Sequence, residues 1–460
     1  MAVLGSRGEI TLEVFERVAW NGEGVQVAPE ALARVAAARE AFLRLAARPD
    51  VTIYGVTSGY GDRAGQRLDD EERRRQAVAA HNRGASFGDP LPDRVVRGIV
   101  LARLANLVEG YAGVSPGLVE AVASMLDGEP LPRVPLQGNG GSGEILALGH
   151  LFGRLIETFG VGEKEGLALL NGSPCAAALV ADAVLAAQRR LQLAHDVFAL
   201  SVEAFAAPLD AYDAQLEPLW GDEYETRALQ ELRSRIDQAA PRRSHQASVA
   251  FRILPRVLGQ AGRAVAGAED VAAVSLSAVT DNPVYLPPDD HFPDGRVLST
   301  GGYHNAAAPA ALHQLAVCWA DLCQLAERHV EKLVFSDPVR TDADLMAGLL
   351  MMVVVSYSEE ARAHAQPPIL PRGGPGQNDV ASPAFLAWSR EENAARCLDA
   401  SLAVLAAAAT RLLKRDVDVR LRAVCETSAP VVAALESGQA TGEELERLTA
   451  LFQQRIIPAA

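Results

Sequence analysis

Apolar residues recur at helical spacing through most of this chain. Beyond residue 144 the pattern is nearly continuous, with apolar stripes near 144–160, 174–206, 225–238, 246–279, 306–335, 341–365 and 384–413. In the 306–335 stretch Leu312, Leu315, Trp319, Leu322, Ala326, Val330 and Leu333 repeat at close to heptad spacing, which predicts the seam of a long-helix bundle. Upstream the pattern is mixed. Short β-like pieces at Glu9–Leu12 and Gly24–Val27 precede a helix opened by Pro29, with Leu32, Val35, Phe42 and Leu45 near one face. A β-rich run at Val51–Ile53 enters a glycine loop, a charged helix spans 72–86, and 93–127 reads as helical. From about 429 a small helical tail closes the chain. The expected fold is all-α. A region of short strands and loops covers 1–205, a central long-helix bundle 206–415, and a C-terminal helical tail 416–460.

Composition agrees with a large alanine-, leucine- and valine-rich core. Of 460 residues, 49% are hydrophobic and only 5% aromatic, and the alanine and leucine runs have high helix propensity. The net charge of -15, from 58 acidic and 43 basic residues with no basic block, argues against a nucleic-acid or anionic-membrane partner. A local basic site for a small carboxylate stays open. The cysteines at 175, 318, 323, 397 and 425 lack metal-site spacing, and four fall within helical patterns, where a buried reduced thiol is expected. Met1–Arg7 lacks a signal-peptide pattern, and no apolar run reads as long and charge-free enough to span a bilayer. A cytoplasmic protein that uses a small-molecule substrate is expected.

The candidate chemistry lies where the helical pattern breaks, since loops between long helices are free to carry polar groups. In Gly140-Gly141-Ser142-Gly143-Glu144 a serine stands between glycines. The amide nitrogen of residue 143 can approach the carbonyl carbon of residue 141. Ring closure and dehydration of Ser142 would then give a methylidene-imidazolone, an electrophile made from the chain. The plain alternatives are a glycine turn or a phosphate-cradling loop, the latter weakened by the absence of a following Gly-Lys-Ser/Thr. Tyr54 sits at the mouth of the glycine loop, either as a packing residue or as a phenol acting as acid or base. Ala80-His81-Asn82-Arg83-Gly84 reads as a pocket-edge turn.

Taken together, these segments resemble the aromatic amino acid ammonia-lyases and related aminomutases. Tyr54-Gly55-Val56-Thr57-Ser58-Gly59-Tyr60-Gly61 is similar to the family's Tyr-Gly-Val-Thr-Thr-Gly-Phe-Gly loop, and Gly140-Gly141-Ser142-Gly143-Glu144-Ile145 to its Gly-Ala-Ser-Gly-Asp-Leu. Glu165–Gly172 and Thr280-Asp281-Asn282-Pro283 match closely, and Gly301-Gly302-Tyr303-His304 is similar to Gly-Gly-Asn-Phe-His. The resemblance covers roughly residues 9–415. It implies a helical bundle of the kind shared with fumarase and aspartase, whose own Gly-Ser-Ser-x-Met-Pro-x-Lys-x-Asn loop is absent here. It also implies a homotetramer with sites shared between subunits, and a 4-methylidene-imidazol-5-one from Gly141, Ser142 and Gly143 with no external cofactor or metal.

By the same resemblance Tyr54 is the base, and Asn171 and Asn282 lie near the electrophile and the substrate. Arg252 clamps the substrate carboxylate with its planar fork. His81, Tyr303 and Asn378 complete the substrate contacts. The chain departs from the family at Gly141 (usually Ala), at Glu144 (usually Asp), and at Val249, which stands where a second catalytic tyrosine is expected. His81 points to histidine-type enzymes and Asn378 to phenylalanine-type ones. The reaction implied is loss of ammonia from, or amino migration on, an aromatic or aromatic-like L-amino acid. Prosthetic-group-free lyase, dehydratase or cyclase chemistry in the same pocket, or a silent binding scaffold, are the alternatives.

Overall fold

Long helices with apolar stripes can bury them only against one another, and the chain does so around the four longest of its described helices. The computed structural model describes residues 1–244, 246–336, 341–374 and 376–457, leaving aside the side chains of Asp62 and His81. The first helices are α1 (Leu12–Phe15), α2 (Pro29–Ala46), α3 (Asp70–Val78), α4 (Asp93–Leu107), α5 (Pro116–Ser124), α6 (Ile145–Phe159) and α7 (Glu165–Leu170). Next come α8 (Pro174–Phe205), α9 (Leu216–Trp220), α10 (Glu223–Arg233), α11 (Val249–Arg252), α12 (Leu254–Ser277) and α13 (Ala307–Val334). The last are α14 (Asp342–His364), α15 (Ala384–Leu412), α16 (Val419–Glu436) and α17 (Gly442–Ile456).

The near-heptad stripe of α13 is buried at all seven positions named from the sequence. It faces α12, α14 and α15. Helix α8 is buried almost all round, between α4, α12, α13 and α15, and its alanines let those neighbours approach closely. The stretch Glu165–Phe205 is long and apolar enough to cross a membrane by composition, against the sequence expectation, yet 89% of its most apolar window is buried inside the protein. Its apolar surface is spent on the bundle. Within that core Arg190 of α8 donates to Asp399 of α15 at 2.8 and 3.1 Å, so this buried charge is paired and hydrogen-bonded. All the cysteines are free and helical, and Cys175, Cys318, Cys323 and Cys397 are buried, as expected of reduced thiols.

Strand structure is small. Strand β1 (Ala2–Leu4) pairs in parallel with β2 (Val25–Val27), and β3 (Val284–Leu286) pairs antiparallel with β4 (Arg296–Leu298). The piece Glu9–Leu12 expected as a strand is instead a turn into α1, whose N-cap Thr11 accepts from the Val14 amide at 3.3 Å. The 93–127 helix is broken into α4 and α5, because Gly110 and Gly113 take φ of 81° and 62° and Pro116 restarts the helix. The charged helix ends at Val78 and tightens into a 3-10 turn over Ala79–Asn82.

Candidate active site

The loop after α2 is pinned by its own backbone. The Ile53 carbonyl accepts from the amides of Val56, Thr57 and Ser58 at 3.0–3.1 Å, and the Thr57 hydroxyl accepts from the Ile53 amide at 2.7 Å. Gln76 of α3 donates to the carbonyls of Gly55 and Ser58 at 3.0 and 3.1 Å. Gly55 has φ of 68°, and a Cβ there would lie 2.5 Å from Leu167 Cδ2, so another residue would be strained by its backbone and would push the Leu167 side chain aside. Tyr54 is thereby fixed, with its phenol oxygen accepting from the Gly61 amide at 3.0 Å.

The Gly-Ser-Gly loop meets the 376–383 segment. Ser142 Oγ donates to the Val380 carbonyl at 3.0 Å, and the Gly141 carbonyl accepts from the Ser382 amide at 3.1 Å. Gly143 has φ of 66°, and a Cβ on it would lie 3.4 Å from Cδ2 of Tyr303. At Gly141 a Cβ would meet nothing within 4 Å, so the space does not demand glycine there. Glu144 is buried. Its carboxylate accepts from the amides of Cys175 and Ala176, at 2.6 and 2.7 Å, capping the first turn of α8. Burial pushes its acidity constant up to about 7 against the pull of those amides. The longer carboxylate in place of the family's aspartate is therefore a structural cap, anchoring the Ser142 loop to α8.

Two chambers adjoin here. The smaller, about 110 Å³, is lined by Ser142, Gly143, Asn171, Asn282, Thr300 and Tyr303. The larger, about 180 Å³, is lined on its apolar side by Ile145, Leu167 and Leu170 and on its polar side by Tyr60, Gln76, Arg83 and Lys164. Tyr54, Asn171 and Asn378 border both. Asn171, at the C-cap of α7, donates from Nδ2 to the Asn282 carbonyl, and Asn282 Oδ1 accepts from the Thr300 amide at 2.9 Å. Asn106 of α4 holds the same loop by accepting from the amides of Thr280 and Asp281 at 2.6 and 3.1 Å. Lys164, just before α7, is fully buried and paired with Asp281. Desolvation lowers its basicity, and the aspartate works against that shift.

Of the residues named from the sequence, Tyr54, Gly143, Ser142, Asn171, Asn282, Tyr303 and Asn378 converge on these chambers. Arg252 does not border either one. It is exposed on α11, its Nε donating to the Ala247 carbonyl at 3.0 Å, and Val249 beside it is also exposed. The side chain of His81 lies outside the described residues, although the turn that carries it supplies Ala80 and Arg83 to the larger chamber. The sequence reading missed Tyr60, Gln76, Arg83 and Lys164. Tyr60 and Arg83 stood within segments already singled out, whereas Lys164 carries a left-handed φ of 68° that nothing in its local sequence announces.

Known proteins resemble this chain along most of its length. A family sequence model described as aromatic amino acid lyase matches residues 10–163 and 156–429. Histidine ammonia-lyase of Geobacillus thermodenitrificans is 30% identical over 358 residues, covering 71% of this chain and 69% of that protein. Among solved structures, the ergothioneine-degrading ergothionase of Treponema denticola superposes with a TM-score of 0.86 at 18% identity, covering 100% of each chain. Tyrosine aminomutase from Streptomyces globisporus gives 0.84 at 21%, covering 99% of this chain and 97% of that one. At such identities the two structures establish the all-α fold.

Proposed function

The chain belongs to the aromatic amino acid lyase family and is an enzyme of the ammonia-lyase or aminomutase kind, and from that premise we propose that it removes ammonia from, or moves the amino group of, an aromatic or aromatic-like L-amino acid, with Tyr54 as base. The observation that carries the reading is the position of the Tyr54 phenol on the wall shared by the two chambers. A substrate that straddles them puts its side chain against Ile145, Leu167 and Leu170 and its amino-acid end by Ser142. The Cβ between these two parts then passes Tyr54. Tyr54, as its phenolate, takes the Cβ proton, the C–H electrons form the Cα–Cβ double bond, and the C–N bond of the protonated amino group breaks with its electron pair going to nitrogen, which leaves as ammonia. The Gly61 amide, aimed at the phenol oxygen, keeps that oxygen in place for the transfer.

The family's prosthetic group fits this loop. Ser142 is flanked by two glycines, Gly143 holds a left-handed φ of 66°, and no side chain crowds Gly141. Gly141, Ser142 and Gly143 would form the methylidene-imidazolone, which supplies an electrophile for the amino group. Asn171 and Asn282 border the same chamber with their amides already oriented. Arg252 reaches a carboxylate in this reading from a neighbouring copy, in a homotetramer with shared sites. Its exposure outside both chambers supports that, as does the exposed apolar row Leu345, Leu349 and Met352 on α14.

The test is the mass of the Ser142-containing peptide from protein purified without chemical treatment. Loss of two water molecules is expected. An unmodified mass would remove the prosthetic group and leave the same pocket to a prosthetic-group-free elimination.

A further inference from the structure

The larger chamber carries a charge that proton abstraction and loss of ammonia do not require. Two cations reach its wall, Lys164 and Arg83, and no Asp or Glu does among the described residues. Lys164 is answered by Asp281 behind the wall. Arg83 has no carboxylate partner among the described residues. Its guanidinium donates to the Tyr60 hydroxyl and, at 3.3 Å, to the Asn82 side-chain oxygen, and sits 5.4 Å from the Tyr60 ring centroid. Both partners are neutral, so the cation is held in place without being neutralised. A guanidinium has five N–H donors in a planar fork, and these contacts leave part of that fork for a ligand.

A second observation concerns access. Tyr60, Gln76 and Arg83 also line a groove on the far side of this wall, together with Arg63, Arg75 and Glu72. Arg63 lies 3.9 Å from Glu72 and Arg75 3.9 Å from Glu71, so among the described residues the groove's excess positive charge rests on Arg83. The Arg83–Tyr60 pair thus divides a basic groove from a chamber that is apolar along Ile145, Leu167 and Leu170.

We infer that Arg83 is a specificity-determining residue that binds an anionic group at the far end of the substrate's side chain, so that the preferred substrate is an aromatic or aromatic-like amino acid carrying a second, side-chain carboxylate. This rests on the reading of the two chambers given above, with the reacting carbons at Tyr54. The ring lies along the apolar wall, and its carboxylate meets the guanidinium in a charge-assisted contact. A neutral ring in the same place leaves Arg83 partly desolvated and without counter-charge, which selects against it.

The experiment is calorimetric titration of the purified full-length protein with cinnamate and with 4-carboxycinnamate, arylacrylates that differ only in the ring carboxylate and bind without turnover. The expected result is at least about tenfold tighter binding of 4-carboxycinnamate, the scale of one hydrogen bond to a charged group. That ratio should fall to about twofold or less in R83Q and be largely kept in R83K, which retains the charge. Equal wild-type affinities overturn the assignment whether or not R83Q folds, and so does a ratio that survives in R83Q. If neither arylacrylate binds, the two-chamber reading falls with it, whereas cinnamate binding without preference removes Arg83 alone.

Discussion

Lys164 and Asp281 form an ion pair with no solvent exposure on either side chain, and the next residue, Asn282, accepts at its carbonyl from Asn171. Lys164 opens the short helix that ends at Asn171, and Asp281 immediately precedes Asn282. Two separate loops of the site are therefore fastened to each other by one charged and one neutral contact. Removing one charge strands the other in a dry interior, so Asp281→Asn should destabilise the protein by about 3–5 kcal/mol. Replacing both partners with apolar residues should cost less than the single change. Urea unfolding of the three proteins checks this. A double variant weaker than Asp281→Asn would show that the pair is not the clamp.

Tyr54 makes one described hydrogen bond through its hydroxyl, from the Gly61 amide. Tyr54→Phe keeps the ring and loses that bond, a change of about 1 kcal/mol in stability. Turnover should fall by about 10²–10⁴-fold, the usual contribution of a positioned acid or base. Activity and thermal unfolding measured on the same preparation separate the two effects. Near-normal turnover would take Tyr54 out of the reaction.

Arg252 offers a test of shared sites. In one chain it is exposed and borders neither chamber, so its proposed carboxylate contact needs a second copy. Arg252→Lys, which loses the bidentate fork, should raise KM more than it lowers kcat. Tyr54→Phe and Arg252→Ala, each strongly impaired by itself at low substrate, should regain part of the activity when co-expressed, because mixed oligomers assemble some sites with both residues intact. Absence of any recovery, with mixed oligomers confirmed by mass, would place Arg252 outside its neighbour's site.

The bundle was legible because its helices are long and their stripes are continuous, as the buried seam of α13 demonstrates. The short strands were less so. Glu9–Leu12 alternates like a strand but pairs with no strand among the described residues, while Ala2–Leu4 finds β2. Motifs located Tyr54, Ser142, Asn171 and Asn282, and the first three stand next to glycines in the left-handed region, Gly55, Gly143 and Gly172. Arg83 and Lys164 escaped for a physical reason. A lone charge in a polar segment reads as solvated, and only tertiary packing sets one beneath Tyr60 and the other against Asp281.

Glu391 of α15 gives a pH test away from the chambers. It is buried, accepts from Trp319 Nε1 at 2.7 Å, and has its acidity constant raised to about 8 by desolvation. Arg190 opposes that shift, and Glu392 and Asp182 reinforce it. The folded protein therefore holds this proton more tightly than the unfolded chain, whose value is near 4.5. The resulting stability is fully present below pH 4.5 and is lost as pH rises through about 8. Glu391→Gln keeps the acceptor for Trp319 and cannot ionise. Its melting temperature should match the wild type at about pH 5 and exceed it at about pH 9, with a shallower slope between. Parallel pH curves for the two proteins would mean that Glu391 stays ionised in the fold, with Arg190 outweighing its burial.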